Sequence, residues 1–174
     1  MSETVAAIDC GTNSIKLLIG ALPEIAVRDS RVVRLGQGVD ETGSLAPEAL
    51  ERTFAAIEEF AAMIEQHGAT RIRFCATSAS RDADNSDLFV QGVQDRLGVT
   101  PEVLSGAEEA ALVYAGATRG IDLPGPVLVV DIGGGSSELV LGDGRPEHSV
   151  SMDIGSVRLH ERHLHSDPPT ARMV

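Results

Sequence analysis

The chain has 174 residues, of which 43% are hydrophobic and 23% are charged, so it is long and apolar enough to bury a core. Its formal net charge of −12 argues against nucleic acid or an anionic membrane surface as a partner. Cys10 and Cys75 lie far apart in apolar runs, which favours a reducing compartment over a disulfide framework or a metal site. There is no signal-peptide pattern and no run of the ~18 apolar residues that span a bilayer, so we expect a cytoplasmic protein.

The first part of the chain predicts alternating strands and helices. Two short apolar runs on either side of a turn containing Gly11 are typical of a hairpin. Pro47 stands where the first turn of a helix tolerates proline, and Ser105 and Glu108 have the spacing of a capping box. We predict strands over residues 5–9, 14–20, 25–35, 71–76 and 102–104, and helices over 48–66, 86–97 and 106–116.

A second set of strands follows Pro124-Gly125-Pro126, which is the best candidate for a boundary between lobes. We predict strands over residues 127–132, 137–141 and 147–153, so the order strand, glycine turn, strand, third strand occurs twice. This gives a first lobe over 1–124 and the opening strands of a second lobe over 125–174. Because so short a unit cannot complete a lobe of ordinary size, and 165–170 is typical of an interior loop, we expect a truncated fragment.

Two segments place an acidic residue at the end of an apolar strand, followed by a glycine turn and hydroxyl side chains. They are Asp9-Cys10-Gly11-Thr12-Asn13-Ser14 and Asp131-Ile132-Gly133-Gly134-Gly135-Ser136-Ser137. Glycine lets backbone N–H groups approach an anion and the hydroxyls add donors, so both segments predict phosphate binding. The two aspartates suit a hydrated Mg²⁺. Either segment alone is equally well explained as a hairpin with an Asx-turn, but their duplication favours a phosphate site.

The two segments together resemble the paired phosphate loops of the actin, sugar kinase and heat-shock ATPase superfamily. The resemblance implies an α/β fold of the actin/sugar-kinase-like (ribonuclease H-like) two-lobed type, with the first lobe complete and the second truncated. The ordered blocks AIDCGTNSIKLLI, RLGQGV, ATSASRDADN, LSGAEEA, DIGGGSSEL and DIGSVRLHER further resemble the exopolyphosphatase/guanosine pentaphosphate phosphohydrolase family (Ppx/GppA). RHLHSDPPT resembles the actinobacterial branch of that family, so the resemblance covers residues 5–170.

The family resemblance implies catalytic roles for two carboxylates. Glu109 in LSGAEEA matches the catalytic residue that orients or deprotonates the attacking water, whereas Glu108 is better explained as a helix cap. Glu138 in DIGGGSSEL matches a second acidic residue that positions water or metal. Because Glu138 lies among apolar strand residues, where an unpaired charge is costly, a role in a site is the favoured explanation.

The basic residues leave alternatives open. Arg81 in ATSASRDADN matches a phosphate-binding arginine of the family, but a surface salt bridge with Asp82 or Asp84 explains it equally well. Lys16 lies at the spacing from Asp9 that a phosphate-contacting lysine has in actin-like proteins, although this family is less regular there. Four histidines lack ligand spacing and are predicted to be surface or packing residues, namely His148, His160, His163 and His165.

The resemblance implies a Mg²⁺-dependent phosphohydrolase in which water attacks a terminal phosphoryl group of inorganic polyphosphate or guanosine pentaphosphate. The loops after Asp9 and Asp131 would grip phosphates from opposite lobes. Two other classes stay open: an ATP-dependent kinase or actin-like ATPase on the same fold, and a non-catalytic sensor of guanosine polyphosphates. Homodimers are common in the family. We expect the fragment alone to be weakly active or inactive and to expose apolar surface near residues 127–174.

Overall fold

A computed structural model describes residues 3–122 and 124–173 of the chain. These residues form two compact units, which divide between Val103 and Leu104. Each unit is built around a sheet of its own. Among the residues that are described, no helix is both long enough and apolar enough to cross a membrane.

The first unit contains five strands and four helices. Strands β1 to β5 are Val5–Cys10, Ser14–Ala21, Glu24–Val32, Arg71–Ala76 and Glu102–Val103, and helices α1 to α4 are Val39–Thr42, Pro47–Gln66, Ser78–Asp82 and Ser86–Leu97. The strand order is β3-β2-β1-β4-β5, with β1 antiparallel to β2 and parallel to β4. This arrangement of an antiparallel meander extended by parallel strands is the one that the predicted ribonuclease H-like lobe requires.

The core of the first unit lies on one face of this sheet. Side chains alternate along β1 and β2, so that Ile8, Ile15 and Leu17 are buried while Asp9 points to the opposite, exposed face. Helix α2 packs against α4 where Gly92 leaves room for the ring of Phe54: a Cβ atom on Gly92 would lie 2.1 Å from Cζ of that ring. Burial of this apolar face is the main source of stability for the unit.

The second unit contains three strands and two helices. Strands β6 to β8 are Val127–Ile132, Ser137–Gly142 and Pro146–Met152, and helices α5 and α6 are Gly106–Thr118 and Ser156–His163. The strands form an antiparallel meander in chain order. Its small core contains Ala110 and Tyr114 of α5 and Val140 of β7, with Val129 packed against them. Helix α5 therefore covers one face of the sheet.

The packing of α5 explains why the units divide earlier than the predicted boundary at 124/125. The glycine and proline residues at 124–126 mark a turn, but the helix before that turn buries its apolar side on β6, β7 and β8. Glycine and proline show where the chain turns. The unit to which a helix belongs is decided by the sheet against which its apolar residues pack. Residues 104–122 accordingly belong with the second sheet.

The two meanders share local geometry as well as order. In the first, the amide of Gly11 donates to the carbonyl of Ser14 at 2.9 Å, and in the second the amide of Gly133 donates to Ser136 at the same distance. Each second strand also ends in an irregularity of register, between Ile19 and Gly20 and between Leu141 and Gly142. The repeat predicted from the sequence is thus a repeat of structure.

Strand β3 ends at Val32, earlier than the predicted end at residue 35. The amides of Val33 and Arg34 both donate to the carbonyl of Asn13, at 3.0 and 2.9 Å, instead of continuing the ladder with β2. Arg34 has a positive φ of 51°, which is uncommon for a residue other than glycine. The chain therefore turns here to support the first glycine turn.

Candidate active site

The first glycine turn (residues 11–14) is fixed by its neighbours through carbonyl groups and one hydroxyl. The carbonyl of Thr12 accepts from the amide of Gly36 at 2.9 Å. The buried hydroxyls of Thr12 and Ser78 lie 2.7 Å apart, so that the side chain of Thr12 ties the turn to α3. Within the described part of the chain, the amides of Thr12 and Asn13 have no acceptor. The backbone amides of this turn, more than the Thr12 hydroxyl, are therefore available to bind an anion.

Asp9 and Arg81, the charged residues predicted for the first half of the site, already have protein partners. Lys16 Nζ lies 3.0 Å from a carboxylate oxygen of Asp9, and both side chains are more than half exposed. Arg81 Nε lies 3.7 Å from Asp82, with the Arg81 side chain 25% exposed. The alternative salt bridge of Arg81 is thus present, but a distance of 3.7 Å and partial exposure make it a weak one.

The second glycine turn (residues 133–136) is held from one side by the start of α6. The amides of Ser156 and Val157 donate to the carbonyls of Gly133 and Gly134, each at 2.9 Å. Arg158 Nε donates to the carbonyl of Gly135 at 2.8 Å, so three successive carbonyls point towards α6. When the carbonyls of consecutive peptide groups are fixed on one side, their N–H groups point in another direction and can bind an anion there.

The amides of the second turn are left available for an anion. Among the residues that the structure covers, the N–H groups of Gly134, Gly135 and Ser136 have no acceptor. Ser136 is 3% exposed, so these are not simply solvated groups on an open loop. The hydroxyl of Ser137 donates to the carbonyl of Ile154 at 2.5 Å, which commits its proton to the fold rather than to a phosphate.

Three polar residues lie in a row across the second sheet. Asp131 of β6 pairs directly with Glu138 of β7, and Glu138 pairs directly with Ser151 of β8. Directly paired residues project from the same face, which here is the face covered by α5. Glu138 is only 1% exposed, and Oε1 accepts a 2.7 Å hydrogen bond from the Ser151 hydroxyl. The sequence predicted the two carboxylates but not the serine.

Glu109 lies in the first turn of α5, the helix that covers this face of the sheet. Its amide donates to the carbonyl of Ser105 at 2.9 Å, and its side chain is partly exposed. Gly106, the first residue of α5, approaches Ser151 so closely that a Cβ atom on it would lie 2.8 Å from the Ser151 Cβ. The first turn of α5, which carries Glu109, thus lies against β8 at Ser151.

Glu108 has the structural role that the sequence predicted for it. Its amide donates to Ser105 Oγ at 3.3 Å, while its carboxylate accepts from the Ser105 amide at 2.9 Å. This reciprocal pair is a complete capping box. The Ser105 side chain, and then its backbone amide, lower the pKa of Glu108.

The charges at corresponding positions of the two meanders differ. Asp9 is paired in register with Lys16, and Asp131 at the corresponding position is paired with Glu138. Like charges directly opposite one another destabilise a sheet unless a cation lies between them. Two adjacent carboxylates fit Mg²⁺, which is usually held by one or two carboxylates together with substrate phosphate oxygens. Within the described ranges no group of three or more His, Cys, Asp or Glu could hold a metal ion.

Comparison with known proteins identifies the family of this chain. The sequence profile of the Ppx/GppA phosphatase family matches residues 15–174. The chain is 50% identical over 185 aligned residues to exopolyphosphatase 2 of Mycobacterium tuberculosis, covering 98% of this chain and 58% of that protein. It is 38% identical to a guanosine-5'-triphosphate,3'-diphosphate pyrophosphatase of Pseudoalteromonas atlantica, covering 95% of this chain and 34% of that protein. The chain belongs to the Ppx/GppA phosphatase family.

Solved structures confirm the predicted fold class. A crystal structure of an exopolyphosphatase-like protein superposes with a TM-score of 0.92 at 50% identity, covering 98% of this chain and 56% of that one. The actin-like MreB5 of Spiroplasma citri, at 16% identity and a TM-score of 0.52, shares the fold alone. The chain spans 58% of the length of the relative that is 50% identical to it.

Several residues that shape the site were missed by the sequence analysis. Ser151 is recognisable only after β7 and β8 are placed in register, because nothing in its local sequence marks it. Helix α6 was not predicted, although Ser156 and Arg158 lie in a block that was recognised by resemblance. Ser78 holds the first turn through Thr12, and a hydrogen bond between residues 66 positions apart leaves no local pattern.

Proposed function

We propose that this chain forms part of a phosphohydrolase that releases orthophosphate from the end of inorganic polyphosphate or from guanosine pentaphosphate. The observation that carries the proposal is the second glycine turn, whose carbonyls are bound by α6 while the amides of Gly134, Gly135 and Ser136 lack protein acceptors within the described chain. Such a nest of N–H groups binds a phosphate without any formal positive charge. This answers the difficulty that a chain of net charge −12 poses for a polyanionic substrate.

The candidate site residues of the second unit each have a role in this proposal. The free amides of residues 134–136 hold the phosphoryl group that is to be transferred. Glu109, on the first turn of α5, orients the attacking water and accepts its proton. Asp131 and Glu138 would hold Mg²⁺, which when bound supplies positive charge against the phosphoryl oxygens. The first unit offers a second set of free amides at Thr12 and Asn13.

The names of two relatives support a proposal about which of the two substrates is preferred. The 50% identical relative is named an exopolyphosphatase, and the 38% identical one is named for a guanosine nucleotide. We therefore propose polyphosphate as the preferred substrate and guanosine pentaphosphate as a secondary one. We also propose that the protein is cytoplasmic, because Cys10 and Cys75 are free thiols, which suit a reducing compartment. A homodimer is the assembly expected from the family.

The test is orthophosphate release by the whole protein that contains this sequence, with Mg²⁺ and with short polyphosphate, long polyphosphate or guanosine pentaphosphate. We expect Glu109→Gln to lower kcat by about 10²–10⁴-fold, the usual loss when a general base is removed. Glu108→Gln is the matched control, because it changes the neighbouring carboxylate in the capping box and should leave kcat within about twofold. Tight binding of all three substrates by the wild-type protein without release would reject hydrolysis and support the sensor.

A further inference from the structure

We infer that Ser151 is a positioning residue for the catalytic carboxylate Glu138, an inference that rests on the proposed function. Ser151 lies on β8, directly opposite Glu138 in the register of β7 and β8. Its hydroxyl donates to Glu138 Oε1 at 2.7 Å. Among the described residues it is the one hydrogen-bond donor to the Glu138 side chain.

The burial of Glu138 makes this hydrogen bond consequential. A carboxylate that is 1% exposed has lost most of its water, and a buried charge without hydrogen bonds is costly. Asp131, its other neighbour across the sheet, is also acidic and cannot donate while ionised. The Ser151 hydroxyl therefore fixes Glu138 Oε1, while Oε2 has no hydrogen-bond donor among the described residues.

Ser151 is itself held in place by the helix that carries Glu109. A Cβ atom on Gly106 would lie 2.8 Å from Cβ and 3.0 Å from Oγ of Ser151, so α5 rests against this side chain. The serine is exposed to solvent on its outer side and contacts both the first turn of α5 and the carboxylate of Glu138. A residue in this place sets the orientation of Glu138 and also its distance from α5, which are the two quantities that positioning demands.

The variants that test the inference are Ser151→Ala, which removes the donor, and Ser151→Thr, which keeps it. Ser149→Ala is the matched control, because Ser149 is exposed on the same strand, projects from the same face and makes no hydrogen bond through its side chain in the described structure. All variants are made in the whole protein and first compared by thermal melting. Two quantities are then measured: steady-state kcat and KM for polyphosphate, and the affinity for Mn²⁺ by electron paramagnetic resonance without substrate.

For Ser151→Ala we expect kcat to fall about tenfold and Mn²⁺ affinity to fall about tenfold, as is usual when a partner of a ligating carboxylate is removed. KM should change less than about twofold, because the amides that hold phosphate are untouched. Ser151→Thr should restore both quantities, and Ser149→Ala should alter neither. In a Glu138→Gln background, Ser151→Ala should have no further effect on kcat, because the serine acts through Glu138.

Equal Mn²⁺ affinity and kcat in the wild type and Ser151→Ala would overturn the inference. So would an undiminished loss of kcat in the Glu138→Gln background, since Ser151 would then act by another route. Failure of the proposed function looks different: the wild-type protein would release no orthophosphate, while Mn²⁺ affinity would still fall in Ser151→Ala and recover in Ser151→Thr.

Discussion

Residues at corresponding positions of the two meanders differ in charge. Asp9 faces Lys16 across β1 and β2, a pair at 3.0 Å that is neutral and exposed. Asp131 faces Glu138 across β6 and β7, a pair that is doubly negative with one member buried. Lys16 balances the charge of the first pair, whereas the second pair brings two negative charges together.

The repulsion between Asp131 and Glu138 gives the first prediction. In EDTA, Glu138→Gln should raise the stability of the second unit by roughly 1 kcal/mol, or about 4–8 °C in its Tm, because it removes a like-charge pair yet keeps an acceptor for Ser151. Added Mg²⁺ should raise the Tm of the wild type and leave that of the variant nearly unchanged. Differential scanning calorimetry measures both, with Glu147→Gln as an exposed carboxylate control. A variant that melts lower than the wild type in EDTA would contradict the prediction.

The capping box predicts a dependence of stability on pH. Because Ser105 lowers the pKa of Glu108 in the folded chain, this carboxylate contributes stability above its unfolded pKa, 4.5, and loses that contribution as the pH falls through the folded value. The Tm of Glu108→Gln should therefore lie below that of the wild type at pH 7, and the two should converge as the solution is acidified below pH 4.5. Melting curves from pH 7 to pH 3 check this, and a constant difference would show that the charge of Glu108 is irrelevant.

At the scale of elements, strong local patterns were predictable and supporting elements were not. Strands 71–76 and 127–132 were predicted with the observed bounds, since apolar runs bounded by turns identify buried strands. The short helices α1 and α3 and helix α6 were not predicted. Helices α3 and α6 make hydrogen bonds with the glycine turns, Ser78 to Thr12 and Arg158 to Gly135, and no sequence window contains both partners.

The contact between α6 and the second turn gives the next prediction. A Cβ atom on Gly155, just before α6, would lie 2.3 Å from the carbonyl oxygen of Gly134. Gly155→Ala should therefore push α6 away from the turn and destabilise the unit by about 1–3 kcal/mol. Gly116→Ala is the control, because Gly116 lies in α5 with nothing near its Cβ direction and should stabilise by about 0.5–1 kcal/mol. Denaturant unfolding measures both, and equal effects would show that the approach of Gly155 is not limiting.

At the scale of the whole chain, the two units differ in how well they are covered. The first has a core drawn from β1, β2, β4 and the helices that cover them, while the second buries one face of its sheet under α5. The other face of that sheet exposes apolar side chains, among them Leu128, Val130 and Ile132, the last of which is 73% exposed. The apolar surface predicted near residues 127–174 is thus confirmed, and large exposed patches of this kind promote association.

This exposed face gives a prediction for the isolated 174-residue chain. Val130→Thr combined with Ile132→Thr should reduce binding of a hydrophobic dye and self-association, while unfolding free energy stays within about 0.5 kcal/mol. Val140→Thr, the same kind of change on the buried face, should instead cost about 1–3 kcal/mol because it buries a hydroxyl. Dye fluorescence, sedimentation and urea unfolding measure these quantities. Undiminished dye binding in the double variant would place the exposed surface elsewhere.

Under the proposed function, water is the acceptor of a phosphoryl group held at the second glycine turn. The most direct test is to incubate the whole protein with polyphosphate and Mg²⁺ in ¹⁸O-labelled water and to analyse the orthophosphate by mass spectrometry. We expect release of orthophosphate that carries a single ¹⁸O atom per catalytic event, with release lost in Glu109→Gln. Phosphoryl transfer to another acceptor, or release that Glu109→Gln leaves unchanged, would contradict it.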